Sequence, residues 1–188
     1  MNRDGGLPGR AVRRVSRRGR RFGWLAVCAA AVLVWTTASA DELDARVRAA
    51  GHPRTPAASL AKLAADTAWP VRRAVAANRR TPPEVLARLA RDPDRRVRIA
   101  VATNLSTTEP TFLMLAGDTD AAVRSVVARF EYVPVSALDR LAGDSDGDIR
   151  LEVARNPNTS TPTLRRLRRD ELASVRQLAE AALAQRRP

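Results

Sequence analysis

The side chains able to do chemistry in this chain mostly recur at one spacing. An aliphatic residue followed by arginine appears at Val71-Arg72, Val97-Arg98, Val123-Arg124, Ile149-Arg150 and Val175-Arg176, every interval being 26 residues, with Ala45-Arg46 one step back. Asp66, Asp92, Asp118, Asp144 and Asp170 keep the same period. A guanidinium presents a rigid fork of donors that fits a carboxylate in two parallel hydrogen bonds. Two columns of equal period therefore predict Arg–Asp ladders between neighbouring units. The competing reading is a stripe of arginines facing a ligand, and the acidic column argues against it.

Catalysis finds little support. A catalytic constellation needs a nucleophile, an oriented base and a site for the developing charge. The chain holds one His (His52) and one Cys (Cys28), and its carboxylates are spread by the repeat instead of paired. His52, just before Pro53, is expected in a loop or cap. Cys28 lies inside an apolar stretch, and Val27 before it is too large for a good lipidation site. One Cys forms no internal disulfide, and one Cys with one His cannot complete a zinc site. The expectation is a non-enzymatic protein with no cofactor and no metal.

Binding chemistry is best sought where the repeat breaks. Asn78, Asn104 and Asn156 form an amide column, with His52 and Phe130 in the same place. Glu131-Tyr132-Val133-Pro134 then replaces the usual polar turn. Aromatics are only 4% of the chain, so two together stand out as a partner-binding spot. The alternative is that Phe130 turns inward to fill a local gap. Trp69, at a position held elsewhere by Arg95, Ala121 and Gly147, carries the same pair of readings.

The elements that position these residues follow from the apolar columns. Leu60, Leu86, Phe112, Leu138 and Leu164 form one, and Leu63, Leu89, Leu115, Leu141 and Leu167 form another three residues on. Val75, Val101, Val127 and Val153 are each followed by Ala. Spacings of three and four residues place such side chains on one helix face, so each unit is expected to hold two short helices. In the second unit, Thr81-Pro82-Pro83-Glu84 suits a capping box. Asp92-Pro93 suits the cap of the next helix, and Asn104 its stop. Helices this short are unstable alone. One unit buries about six apolar side chains at about 1.5–3 kcal/mol each, against about 1–2 kcal/mol per residue of backbone order. Only stacked units fold, which makes the chain a solenoid. A polar final unit, with Glu180 in place of the repeated Ala and Gln185-Arg186-Arg187 beyond, suits a capping repeat.

The first forty residues differ. Residues 1–21 hold eight Arg and one Asp and are expected to be a disordered basic n-region. Phe22 to Trp35 is uncharged, and Thr36-Thr37-Ala38-Ser39-Ala40 supplies small residues before Asp41. That order is a signal peptide cut after Ala40, or an uncleaved membrane anchor over residues 22–40. Arginines before the segment hold the N-terminus in the cytoplasm, so either outcome places residues 41–188 outside it. A twin-arginine signal is a weak alternative, because no Phe follows Ser16-Arg17-Arg18 at the usual offset.

The pattern V-R-x-A-V-A-x-N…T-P…L-x-x-L-A-x-D, seen at Val71–Asp92 and more loosely up to Asp170, resembles the leucine-rich repeat variant family over roughly residues 45–185. The resemblance implies α- and 3₁₀-helices alternating in a right-handed superhelix. Some relatives hold an iron–sulfur centre on an N-terminal cysteine cluster; with only Cys28 that centre cannot be carried over. The fold class expected is therefore all-α, a right-handed solenoid of 26-residue helical repeats.

Charge bears on the partner. The chain carries a formal +13, but the units at 97–122 and 123–148 are each net −2, between units of +5 at 71–96 and +3 at 149–174. A nucleic-acid surface wants an unbroken basic stripe, so nucleic acid is not the expected partner. The expectation is a monomeric protein of the cell envelope that binds a protein or peptide on a solenoid face, with Phe130, Tyr132 and Trp69 as candidate contacts. The alternatives are a solenoid that binds a polyanion, either nucleic acid or an anionic envelope polymer, and a structural spacer.

Overall fold

The computed structural model describes residues 40–186. The expected n-region, the apolar signal or anchor segment as far as residue 39, and Cys28 lie outside the described residues. Among the described residues no helix is long and apolar enough to cross a membrane.

The described chain is all-helical: α1 (residues 40–51), α2 (Ala57–Leu63), α3 (Trp69–Ala77), α4 (Pro83–Leu89), α5 (Arg95–Ala102), α6 (Glu109–Leu115), α7 (Ala121–Arg129), α8 (Val135–Leu141), α9 (Gly147–Arg155), α10 (Thr161–Leu167) and α11 (Ala173–Ala184). Even-numbered helices, here the A helices, are seven residues long. From α3 on, the odd-numbered B helices carry the Val-Arg columns. Both kinds are α-helical, and tight i to i−3 bonds such as Val97 N–H to the Asp94 carbonyl (3.1 Å) occur in the first turns of the B helices.

Burial follows the columns. Leu60, Leu86, Leu138 and Leu164 from the A helices, and Val71, Val75, Val97, Val101, Val123, Val127 and Val153 from the B helices, are fully buried in one continuous core. Successive B helices pack side by side, whereas most A helices lie farther apart and are bridged by long side chains, as where Arg88 donates to the Ala61 carbonyl (3.0 Å) and Arg166 to the Asp139 carbonyl (2.7 Å). One junction departs from this. The α5–α7 pair is packed less closely than its fellows, and α6–α8 is the A-helix pair in closest contact.

Three polar columns fasten the units. Each Asn of the amide column reaches back to the preceding unit: Asn104 Nδ2 donates to the carbonyls of Ala76 (2.7 Å) and Asn78 (3.0 Å), while its Oδ1 accepts from Ser106 N (2.8 Å). Asn78 and Asn156 repeat the pattern. Thr55, Thr81, Thr107 and Thr159 each donate a hydroxyl to the carbonyl six residues earlier, at the end of a B helix. The third column is the Arg–Asp ladder.

Two capping expectations are corrected. Thr81 does not cap α4: the cap position is Pro82, and the Thr81 hydroxyl turns back to Val75. Asp92 does not cap α5: Asp94 does, accepting from Arg96 N. Asp120 and Asp146 cap α7 and α9 in the same way. Both side chains expected as caps are drawn off by partners the helix itself does not supply, Thr81 by the preceding helix end and Asp92 by Arg72 of the preceding B helix.

Candidate partner-binding edge

The A-to-B turns line one edge of the solenoid and the B-to-A turns line the other. The ladder occupies the first. Arg124 Nε and Nη2 hold Asp144 in a two-point pair (2.7 and 3.0 Å), and Nη1 donates to the carbonyls of Asp118 (2.8 Å) and Thr119 (3.4 Å). Arg72–Asp92, Arg98–Asp118 and Arg150–Asp170 are built alike, with both side chains of each pair largely buried. Arg46–Asp66 is a looser member at 3.3 Å. Each Asp also accepts a backbone N–H two residues on, as Asp144 does from Asp146 (2.9 Å).

Electrostatics agree with this geometry. At Asp118 and Asp144 burial works to raise the pKa, but the arginine hydrogen bond, the backbone N–H and nearby guanidinium charge outweigh it and hold the carboxyl below its ordinary value. At Asp170 the Arg150 hydrogen bond is the largest influence and the result is the same. Each of these four arginines uses all three guanidinium nitrogens within the fold, so the column is a set of rungs and not a ligand-reading stripe. Shallow clefts of about 380 and 300 Å³ open between rungs, but their charged walls are mostly ladder members already paired.

Trp69 lies on the ladder edge, at the start of α3, partly buried, with the Arg96 guanidinium 4.0 Å from its ring centroid. Phe130 and Tyr132 lie at the opposite end of a B helix, on the B-to-A edge, so the structure does not bring Trp69 to them.

At the unit break, Phe130 takes the amide position and cannot donate. The Ala102 carbonyl therefore lacks the staple that Ala76 and Ala128 receive from Asn104 and Asn156. Val133 replaces the threonine and is buried. An aromatic cluster stands in their place: Phe130 stacks on Phe112 of the preceding unit (centroids 6.1 Å, 24° between planes) and meets Tyr132 edge-on (5.7 Å, 63°). Phe112 is buried and Phe130 half-buried. This junction is also the one with the loosely packed B pair.

Tyr132 is 63% exposed, Leu105 on the neighbouring turn 55%, and Val135 at the start of α8 45%. With Leu172 they are the exposed large hydrophobics among the described residues. The Tyr132 phenol has its pKa raised by the hydrogen bond and charge of Glu131. Backbone contacts fix which turns adjoin: Ser106 Oγ donates to the Arg79 carbonyl (3.3 Å), and the Asn158 side chain donates to the Glu131 carbonyl. The same spacing relates Tyr132 to Leu105, which makes their turns neighbours along this edge. Phe130 and Tyr132 stand among the candidates named from the sequence, and Leu105 does not. Its signal was available: an aliphatic residue stands where the other units place Arg79, Glu131 and Pro157.

Residues 69–94 and 147–172 match the model of the leucine rich repeat variant family. The match falls on the Trp69–Asp94 and Gly147–Leu172 units, each a B helix followed by an A helix and the next turn. No curated protein matches the chain.

Proposed function

Starting from a solenoid whose units at 69–94 and 147–172 are leucine rich repeat variants, we propose that the protein is a docking module that holds a protein or peptide partner. The site is the B-to-A edge at Tyr132, Leu105 and Val135, with Phe130 beneath as support. One observation carries this reading. Among the described residues, whose apolar side chains are otherwise well covered, three of the four exposed large hydrophobics cluster on neighbouring turns. They cluster where the regular polar fastening has been replaced by aromatics. Stability alone does not call for an exposed tyrosine beside an exposed leucine, whereas aromatic anchors of this kind concentrate binding energy. Trp69, partly covered by Arg96 on the far edge, stands outside the proposed site.

The proposal also places the module outside the cytoplasm, exported or anchored by residues 22–40. Its support is the order of a basic stretch, an apolar stretch and small residues before Asp41. N-terminal sequencing of the mature protein, with cell fractionation, tests that part. A cytoplasmic protein starting at Met1 defeats it.

Site-specific photo-crosslinking tests the docking reading. A photoreactive residue is placed at position 132 or 105 of the full chain, and at exposed position 58 on α2 as control. The same discrete protein adduct is expected from 132 and 105 and not from 58. Adducts that do not distinguish the three positions overturn the site.

A further inference from the structure

The edge that carries Tyr132 and Leu105 changes character along its length. Its exposed turn residues are Arg54 in the first unit, Arg79 and Arg80 in the second, Leu105 in the third, and Glu131 and Tyr132 in the fourth. Among the described residues the Arg54, Arg79 and Arg80 guanidiniums make no ion pair, in contrast to the buried ladder arginines of the opposite edge. Three unpaired guanidiniums therefore adjoin an apolar patch along one line of turns, with the Glu84 carboxylate in the first turn of α4, Glu109 in the first turn of α6 beside the patch, and Glu131 at its far side.

We infer that the partner segment held on this edge is an extended acidic peptide with an apolar anchor, its acidic residues on Arg54, Arg79 and Arg80 and its anchor on Leu105 and Tyr132. The inference rests on the docking reading above and adds the partner's chemistry and direction. Charge complementarity sets the first: unpaired arginines favour carboxylates, and at the patch Glu109 and Glu131 outnumber the exposed Arg129, which leaves the anchor to apolar contact. Glu131 sets the second, because a carboxylate placed beside it meets like charge, so the acidic end runs toward the first two units.

Geometry sets the spacing. Packed helices lie about 8–10 Å apart, so Arg80 is about one such step from Leu105 and two from Tyr132. An extended chain advances about 3.3 Å per residue. An acidic side chain on Arg80 then precedes or follows an apolar one on Leu105 by about three residues, and one on Tyr132 by about six. A uniform polyanion matches the first half of the edge but leaves the apolar half unfilled and runs into Glu131.

The test uses the full chain and defined fluorescent peptides. One has three acidic residues, a Gly-Ser-Gly spacer and a Phe-Leu anchor, and is made in both chain directions. A second set carries Lys in place of the acids, and hexaglutamate and a ten-nucleotide oligothymidine serve as polyanions. At moderate salt the acidic–apolar peptide in one direction is expected to bind at least ten-fold more tightly than its Lys version and than either polyanion. R79E/R80E should reverse the acid-over-Lys preference, while L105S/Y132S should weaken both peptide versions together. Polyanions that bind as tightly as the acidic–apolar peptide, or a charge reversal without effect, overturn the inference. The two readings fail separately. If position 132 still crosslinks one partner whose capture is indifferent to R79E/R80E, the acidic-peptide inference falls and the docking reading stands. If no discrete adduct forms at 132 or 105, the docking reading falls with it.

Discussion

Arg124→Ala removes one rung of the ladder, and its cost can be worked from the structure. The Arg124 and Asp144 side chains are 15% and 6% exposed and meet at 2.7 Å. Removing one member of a buried pair costs about 3–5 kcal/mol, because the other charge is left uncompensated. Asp144 keeps the Asp146 N–H at 2.9 Å, and Arg124 retains some contact with water, which screens the pair. A loss of about 2–4 kcal/mol is therefore expected. At about 2–4 °C per kcal/mol for a chain of this size, Tm falls by roughly 4–16 °C. Thermal and urea denaturation of the full chain, followed by circular dichroism, measures this. Hydrogen exchange locates it, with faster exchange expected where α7 meets α9. Arg129→Ala, an exposed arginine one turn on, is the control and should stay within about 0.5 kcal/mol. If Arg124→Ala costs less than about 1 kcal/mol, or no more than the control, the rung is not structural and the ligand-stripe reading of the column returns.

Acid should act on the same rungs. Asp118, Asp144 and Asp170 have folded pKa values below their ordinary ones. The unfolded state then binds protons first, so this contribution is fully present above about pH 4 and is lost as pH falls through the folded values. Urea midpoints should fall below about pH 4 more steeply in the wild type than in Arg124→Ala. Asn104→Ala removes three hydrogen bonds at a buried position and leaves the Ala76 carbonyl without its staple. A loss of about 2–3 kcal/mol in urea denaturation is expected; a loss under about 0.5 kcal/mol denies the amide column its fastening role. Phe130→Asn with Val133→Thr restores both polar columns and discards the aromatic stack. About 1 kcal/mol per regained hydrogen bond offsets the lost stacking and burial. Stability should stay within about 1.5 kcal/mol of wild type, while amides at 104–107 exchange more slowly; faster exchange there contradicts the idea that the polar staple fastens this turn better than the aromatics do.

The period of 26 residues by itself determined the stacked helical units, their apolar columns and the pairing of an arginine column with an acidic one. The reason is physical: a repeated unit must meet its neighbour in the same way each time, so residues that touch across the interface recur in register. Sequence reasoning could not assign each polar residue's partner. Thr81 and Asp92 have good capping chemistry, yet Thr81 bonds the preceding helix end and Asp92 is held by Arg72 of the preceding B helix. Local preference lost to a contact about twenty residues away in the case of Asp92, which only the stacked geometry makes available. The aromatic break was visible in the chain, but its division was not. Phe130 and Tyr132 sit two residues apart and look equivalent in the sequence. Tertiary packing turned Phe130 onto Phe112 and left Tyr132 in water. It likewise separated Trp69 from both and made the turns of Leu105 and Tyr132 neighbours, because which turns share an edge follows from the path of the helices and not from distance along the chain.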